Sequence, residues 1–411
     1  MEDNAVKKDS GLLKKASKDF VFSILALVIY NGVLSLLVNP RLNAQMGKAA
    51  MGIVLFFTSV VSTMSMGFGT AASYSRMMAK KDREEKNGDY NIFLLMICAI
   101  AVPVTLISIS TAKVADGVSD VKSAGFFVAF FVLTIATVFR YYADVQYRMT
   151  IRFKDYFIFF SFTSLGYVLG LLLYPVTKSW ILVFLLGELF GIGFTVASGN
   201  IFRAPFFEKS KFFKENIKSA WYISGSNLVG ALILNSDRLL LTPFAGPVKT
   251  TVYYTASLMG KVVAMITTPL NGIVISYLIN YKVKMDKKRF GIIGVAFLGA
   301  TVIGAVACCV ASMIFVRLFY PLVYDEASKY FFVANLGQML YFISGSLMVV
   351  LLAFTKEKLQ FVINLIYGII FAVVLVPVTY LWGLGGYAYG LVVVNAVRFI
   401  IVILIGIKNI K

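Results

Sequence analysis

Long, uninterrupted apolar segments dominate this sequence and restrict what the chain can fold into. Of its 411 residues, 59% are hydrophobic and only 14% are charged, so a water-soluble domain would have too little polar surface. A helix needs about 20 mostly apolar residues to cross a bilayer. Spanning segments must also pair their backbone polar groups internally, and these runs are too continuous to be the alternating strands of a barrel. The sequence therefore predicts an all-α integral membrane protein.

About twelve segments have the required length, and they form two sets of six. The first set is predicted near 20–39, 50–75, 90–112, 124–147, 156–174 and 180–201. The second set is predicted near 220–243, 251–279, 290–316, 329–354, 359–381 and 386–407. The polar, lysine-rich residues 1–19 do not have the pattern of a cleavable signal peptide, and we interpret them as a cytoplasmic tail.

The distribution of basic residues predicts the orientation of these spans. Short loops rich in Lys and Arg remain in the cytoplasm. Most of the 39 basic residues fall on alternate connections when the N-terminus is inside. We therefore expect both termini to be cytoplasmic, in the inner membrane of a bacterium. The formal net charge of +19 then reflects topology and anionic lipid, and we expect no nucleic acid partner.

The composition also excludes several kinds of chemistry. The chain has no histidine, which removes His-based catalysis, His metal ligands and His proton relays. Cys98, Cys308 and Cys309 lie in apolar spans without metal-site spacing. No Gly-rich Walker loop is present, so ATP is not the direct energy source. We expect no metal, no cofactor and no enzymatic activity.

The basic loop between the two sets divides the chain into two lobes. We expect a tail at 1–19, an N-lobe at 20–202, an inter-lobe loop at 203–218 and a C-lobe at 219–411. A shift of 203 residues aligns Pro40 with Pro243 and Gly69 with Gly272. Six spans per lobe give both lobes the same orientation, related by a pseudo-twofold axis along the membrane normal. Such lobes suit alternating access.

Two basic residues are predicted to lie deep in the membrane, where a charge costs at least about 2.5–3.5 kcal/mol. Lys261 lies about ten residues into span 8, which corresponds to a depth of roughly 15 Å. Arg398 lies near the middle of span 12. Glu188, on span 6, either has a role of its own or neutralises one of these two. A positive interior favours an anionic ligand such as a diphosphate or a carboxylated sugar.

Two further pairs of charges lie closer to the membrane surfaces. Arg140 and Asp144 are one turn apart on span 4, so they either form an ion pair with each other or Arg140 extends to the cytoplasmic face. Asp237 and Arg238 lie near the external end of span 7. For both pairs a structural role and a functional role remain open.

Small polar residues recur at helical spacing beside these charges. They are typical of the wall of a wet cavity, although ordinary polar helix–helix contacts are the alternative. These stripes contain Asn31 and Ser35 on span 1, Ser224, Asn227, Ala231, Asn235 and Arg238 on span 7, Ser257, Lys261, Thr268 and Asn271 on span 8, and Asn395 and Arg398 on span 12.

Several short motifs are similar to those of a known family. They are Asn39-Pro40-Arg41-Leu42, Met46-Gly47, Met51-Gly52-Ile53, Gly67-Phe68-Gly69 and Ser73-Tyr74-Ser75-Arg76 in the first half, and Ser236-Asp237-Arg238-Leu239-Leu240-Leu241, Gly246, Tyr253-Tyr254, Ala256 and Thr268-Pro269 in the second. With the span count, they resemble bacterial polysaccharide flippases. These are the O-antigen, Wzx-type branch of the multidrug/oligosaccharidyl-lipid/polysaccharide exporter (MOP) superfamily.

This resemblance implies a MATE-like fold of two six-helix lobes around a cationic cavity. It also implies a cargo: an oligosaccharide unit on undecaprenyl diphosphate, flipped from the cytoplasmic to the external leaflet, with a polysaccharide polymerase as a further partner. The implied substrate-binding residues are Lys261, Arg398, Arg140, Arg238, Asn31, Asn235 and Asn395. Coupling to H⁺ or Na⁺ would then rest on Glu188, Asp144 or Asp237.

Two other functions remain open. A multidrug exporter of the same fold should have an acidic cavity for cations, whereas the deep charges here lean basic. A membrane polysaccharide polymerase or ligase needs a large external loop with catalytic residues. The longest external loops here, near 112–123 and 317–328, are short. The carboxylates there are too scattered to hold a metal.

Overall fold

The computed structural model describes residues 21–114, 123–263, 285–355 and 357–410, together with residues 19 and 271. Within this part the chain is helical and contains no strand. Nine of the described helical stretches are long and apolar enough to cross a membrane, judged by length and composition alone. The predicted all-α membrane fold is confirmed.

The helices are labelled here in chain order. The first six are α1 (Val21–Asp82), α2 (Asn87–Val114), α3 (Ala124–Met149), α4 (Phe153–Thr177), α5 (Trp180–Ser198) and α6 (Phe213–Ala245). They are followed by α7 (Pro247–Ala256), α8 (Lys287–Phe319), α9 (Tyr324–Ser328), α10 (Phe331–Leu352), α11 (Glu357–Ile370) and α12 (Val376–Asn409). Much of the predicted span 251–279 lies outside the described residues.

Three glycines with positive φ lie at boundaries between neighbouring predicted spans. Gly47 interrupts α1 with φ 83° and ψ 166°, and so separates the first two predicted spans. Gly246 has nearly the same conformation, φ 89° and ψ 159°, between α6 and α7. A side chain with a Cβ is strained there, so both positions need glycine. A third such residue, Gly383, divides α12 at the join of the last two predicted spans.

The chain forms two compact units. Unit 1 contains the described residues up to Leu42 together with Phe57–Asn235. Unit 2 contains Asn43–Phe56 and the described residues from Ser236 onwards. A short segment of α1 therefore packs with the second half of the chain. The lobe boundaries expected from the sequence, with a loop at 203–218, stay a prediction.

Unit 1 is built on the helical hairpin of α4 and α5. Lys178 ends α4 in a left-handed conformation, and the Ser179 hydroxyl caps α5 by accepting from the amide of Leu182 at 3.4 Å. Small residues let the two backbones approach closely, as in many membrane helix pairs. A Cβ built on Gly170 would lie 2.6 Å from the Cα of Val183. The core beside this hairpin is rich in buried aromatic rings, including Phe93, Tyr142 and Phe159.

Unit 2 is built on α8, α10 and α12, with a core that includes Phe290, Leu347 and Phe399. The α1 segment Asn43–Phe56 is fastened to this unit at two points. Thr251 donates to the carbonyl of Lys48 at 2.8 Å. Lys48 and Lys249 both form ion pairs with Glu326, the latter at 3.3 Å. Hydrogen bonds from these lysines hold the pKa of the Glu326 carboxyl below its usual range.

The tight contact of the α4–α5 hairpin gives a test of the fold. We expect Gly170→Ala to lower the stability of the purified protein by about 1–3 kcal/mol, because the new methyl group meets backbone that cannot move aside. The matched control is Gly193→Ala on α5, where an added Cβ has nothing within 4 Å. Thermal unfolding in detergent measures both. Equal stability of the two variants would contradict this packing.

Candidate functional site

Arg140 and Glu188 form a buried ion pair inside unit 1. The guanidinium Nε of Arg140 lies 2.6 Å from one Glu188 oxygen, and its Nη2 lies 3.3 Å from the other. The two side chains are 3% and 4% exposed. Two sequence interpretations are therefore wrong: Arg140 does not pair with Asp144, and Glu188 does not neutralise Lys261 or Arg398.

Tyrosines complete the surroundings of this pair. Arg140 donates to the hydroxyl of Tyr30 at 2.8 Å, and Tyr167 donates to a Glu188 oxygen. The Arg140 guanidinium also lies 4.2 Å from the centroid of the Tyr141 ring. The pair therefore carries no net charge, and the aromatic shell separates it from the surroundings.

Asp144 has a different partner on the last turns of α3. It accepts from the Ser73 hydroxyl at 3.0 Å and pairs with Arg148 at 3.2 Å, one turn along the chain. Its carboxylate therefore joins α1 to α3 and neutralises a cation nearer the helix end than Arg140.

Unit 2 contains a cluster of three charges, of which Asp237 and Arg238 lie on α6 and Lys261 lies just beyond the end of α7. Asp237 is buried and forms ion pairs with Lys261 and with Arg238, the latter at 3.4 Å. Both cations lie over the ring of Tyr254, at 5.3 Å for Lys261 and 5.7 Å for Arg238. Asp237 thus lies between two cations, and both cations contact the face of the same tyrosine ring. The structure thus brings Lys261, predicted on span 8, together with the Asp237 and Arg238 pair predicted on span 7.

Arg398 lies elsewhere in unit 2 and has no carboxylate within ion-pair distance among the described residues. Its side chain is buried, and the residue is only 8% exposed. One Nη donates to the carbonyl of Tyr341 at 3.3 Å, and Nε has no hydrogen-bond partner in the part of the chain that the structure describes. The guanidinium lies 4.8 Å and 4.6 Å from the ring centroids of Tyr341 and Tyr367. The Arg398 guanidinium is therefore packed against two aromatic rings, and its Nε–H could still donate to a ligand.

The three asparagines implied as substrate-binding residues all make hydrogen bonds within their own unit. Asn31 donates to the carbonyl of Leu27 at 2.8 Å on its own helix. Asn235 donates to Thr63 at 3.1 Å. Asn395 donates to the carbonyl of Gly337 at 2.9 Å and accepts from Tyr367 at 2.9 Å, so it positions one ring beside Arg398. Of the span 8 stripe, Thr268 lies outside the described residues.

Sequence reasoning missed a buried polar network where α2 meets the loop before α6. Asp89 accepts from the amide of Ser210 at 2.9 Å and from the side-chain amide of Asn216 at 2.8 Å. All three residues are buried. The sequence did contain one indication of this network. Asp89 lies in the first turn of α2, where the helix dipole favours a carboxylate.

The described residues offer no metal centre. Among them, no group of three or more Cys, Asp or Glu side chains lies close enough to hold an ion. Cys98, Cys308 and Cys309 are free thiols.

Comparison with solved structures identifies the fold. No protein-family model matches the sequence, and no curated protein matches it. The lipid II flippase MurJ, in an inward closed conformation, has a TM-score of 0.70 at 14% identity, covering 95% of this chain and 87% of that chain. An inward-facing multidrug resistance MATE family transporter of the MOP superfamily has a TM-score of 0.60 at 12% identity, with 93% of both chains covered.

A third structure is a MOP superfamily transporter from Pyrococcus furiosus. Its TM-score is 0.52 at 16% identity, covering 95% of this chain and 94% of that chain. It is described as having a binding pocket of reverse polarity, which suggests a different function. The structural neighbours are thus MOP superfamily transporters, and the MATE-like fold is confirmed. The resemblance to the Wzx-type branch stays a prediction.

The buried pair in unit 1 gives a second test. We expect Glu188→Gln to destabilise the protein by about 3–5 kcal/mol, because it leaves the buried Arg140 guanidinium without a counter-charge. The double variant Arg140→Met with Glu188→Gln should recover much of that loss. Thermal unfolding of the purified variants measures both effects. A single variant as stable as the wild type would show that the pair is not needed for the fold.

Proposed function

We propose that this chain is a flippase for oligosaccharides linked to undecaprenyl diphosphate. It moves the cargo from the cytoplasmic to the external leaflet of a bacterial inner membrane by alternating access, with both termini cytoplasmic. The fold supports a transporter, since its neighbours are MOP superfamily transporters that include a lipid II flippase. It does not by itself favour one cargo over another.

The observation that carries the choice of cargo is the unneutralised positive charge inside unit 2. Arg398 is buried there without a carboxylate within ion-pair distance among the described residues. Leaving a charge buried without an opposite charge is costly, so such a site favours an anionic ligand. The diphosphate of the cargo, or an acidic sugar on it, supplies that charge.

Cation coupling is assigned to the carboxylates, since the chain has no histidine. Glu188 is the favoured residue, because it lies in a separate unit from the positive clusters and is held by Arg140 and Tyr167. Protonation of Glu188 would free the guanidinium and change the contacts between α3 and α5. Asp144 and Asp237 are the other candidates.

A multidrug or cation antiporter is the second candidate, favoured by the similarity to a multidrug resistance MATE family transporter. The buried Arg398 guanidinium, which has no carboxylate within ion-pair distance among the described residues, argues against a cationic ligand. The neighbours are transporters, and we propose that the chain is not an enzyme.

Arg398 provides the direct test of this function. We expect Arg398→Ala to reduce export of surface polysaccharide by about tenfold to a hundredfold in a complementation assay, because a charge-assisted hydrogen bond contributes ~1.5–3 kcal/mol. Arg398→Lys should retain part of the activity, since it keeps the charge. The control is Arg317→Ala, which removes an exposed arginine from the same unit.

Lys261 is tested together with Asp237, because removing Lys261 alone would take away one of the two cations paired with the buried Asp237. We expect Lys261→Gln with Asp237→Asn to impair export while the protein still reaches the membrane. Normal export by this double variant and by Arg398→Ala would overturn the proposed cargo site. Resistance to cationic drugs conferred by the wild type, and unaffected by Arg398→Ala, would favour the antiporter.

A further inference from the structure

A cleft of about 410 Å³ lies beside the first turns of α6, within unit 1. Two neighbouring stripes of the helix line it, each with residues four apart. The apolar stripe contains Phe213, Ile217 and Trp221, and the second stripe contains Lys214, Lys218 and Tyr222. The lining of the cleft is therefore mostly apolar, and the two lysines border it.

The apolar stripe is anchored in the core of unit 1. The ring of Trp221 lies 6.0 Å from that of Phe68 and 5.1 Å from that of Phe93, measured between centroids. Ile217 packs against the same core. The buried hydrogen bonds of Asp89 to Ser210 and Asn216 fix the loop before the helix. The position of the cleft is thus set before any ligand arrives.

The basic stripe has no such anchor. Lys214 and Lys218 are exposed, and no carboxylate of the described residues lies within ion-pair distance of either. Like charges one turn apart on a helix repel each other. Tyr222 is 71% exposed, and the Lys218 ammonium lies 5.8 Å from the centroid of its ring. An anion placed between the two lysines would relieve this repulsion.

The apolar lining and the two lysines together indicate the chemistry of the ligand. Lysine ammoniums bind phosphate as point charges, and Trp and Tyr favour the level of lipid headgroups, where one side is apolar and the other wet. We propose that this cleft binds the phosphate group of a lipid, with Lys214 and Lys218 on the phosphate and Trp221 and Tyr222 against the adjoining hydrocarbon. The source is either an anionic phospholipid or a lipid-linked diphosphate. The proposal stands on the cleft and does not depend on the cargo proposed above.

Trp221 reports occupancy directly, because the chain has only three tryptophans. The full-length protein with Trp180→Phe and Trp382→Phe is placed in nanodiscs that contain a low fraction of lipid brominated near the ester linkage. We expect brominated phosphatidylglycerol to quench Trp221 more than brominated phosphatidylcholine. Lys214→Gln with Lys218→Gln should weaken binding of phosphatidylglycerol by roughly 30-fold. Size-exclusion profiles check that each variant is folded.

The matched control is Lys287→Gln with Lys288→Gln, which removes the same charge from the exposed start of α8. This variant should keep the preference for phosphatidylglycerol. Equal quenching by the two brominated lipids, or a preference that survives Lys214→Gln with Lys218→Gln, would overturn the proposal.

Competition distinguishes the two sources. If unbrominated polyprenyl diphosphate restores Trp221 fluorescence at a lower fraction than unbrominated phosphatidylglycerol, the cleft selects a lipid-linked diphosphate. If it does not, the cleft binds bulk anionic phospholipid. Both results support a lipid phosphate site, and polysaccharide export is measured separately, so failure of the proposed function leaves this result unaffected.

Discussion

A charge inside a bundle of apolar helices persists only where other groups replace the water that it has lost. In unit 1 this replacement is a two-point ion pair between Arg140 on α3 and Glu188 on α5, enclosed by tyrosines. The pair constrains the relative axial position of α3 and α5, because a shift of one helix along the other by one turn would separate the two charges. In unit 2, the pair of Asp237 with Lys261 imposes a similar constraint between α6 and the chain that follows α7.

Arg398 is compensated in a different way. Two tyrosine faces and one carbonyl surround its guanidinium, and these weaker partners leave Nε unused. Asn395 holds Tyr367 in place through a hydrogen bond, so part of this shell is itself fixed by the fold. The deep Arg140–Glu188 pair of unit 1 is therefore neutral, whereas the deep guanidinium of Arg398 in unit 2 keeps its positive charge. That difference separates a candidate coupling residue from candidate anion sites within a single chain.

Sequence reasoning located the spans and the deep charges because both follow from local composition. Length and hydropathy fix where a helix can cross a bilayer, and a charge within such a run is visible directly. The partners were less predictable. Arg140 and Asp144 have ideal helical spacing, yet Arg140 pairs with a residue 48 positions away and Asp144 with Arg148. Helix packing decides such pairs, and a single sequence does not contain the distances between helices. The tyrosine shells were missed for the same reason, since an aromatic residue in an apolar span gives no separate signal.

The short α1 segment Asn43–Phe56 has a consequence for how the chain is made. Its carbonyl at Lys48 is bonded by Thr251, 203 residues later. A Cβ on Gly52 would overlap the backbone of Pro247, so the two stretches fit closely. At a synthesis rate of about 5–20 residues per second, the segment waits roughly 10–40 s for its partner to emerge from the ribosome. The first helices to enter the membrane thus remain incompletely packed during that interval, when a chaperone or the insertion machinery is best placed to act on them.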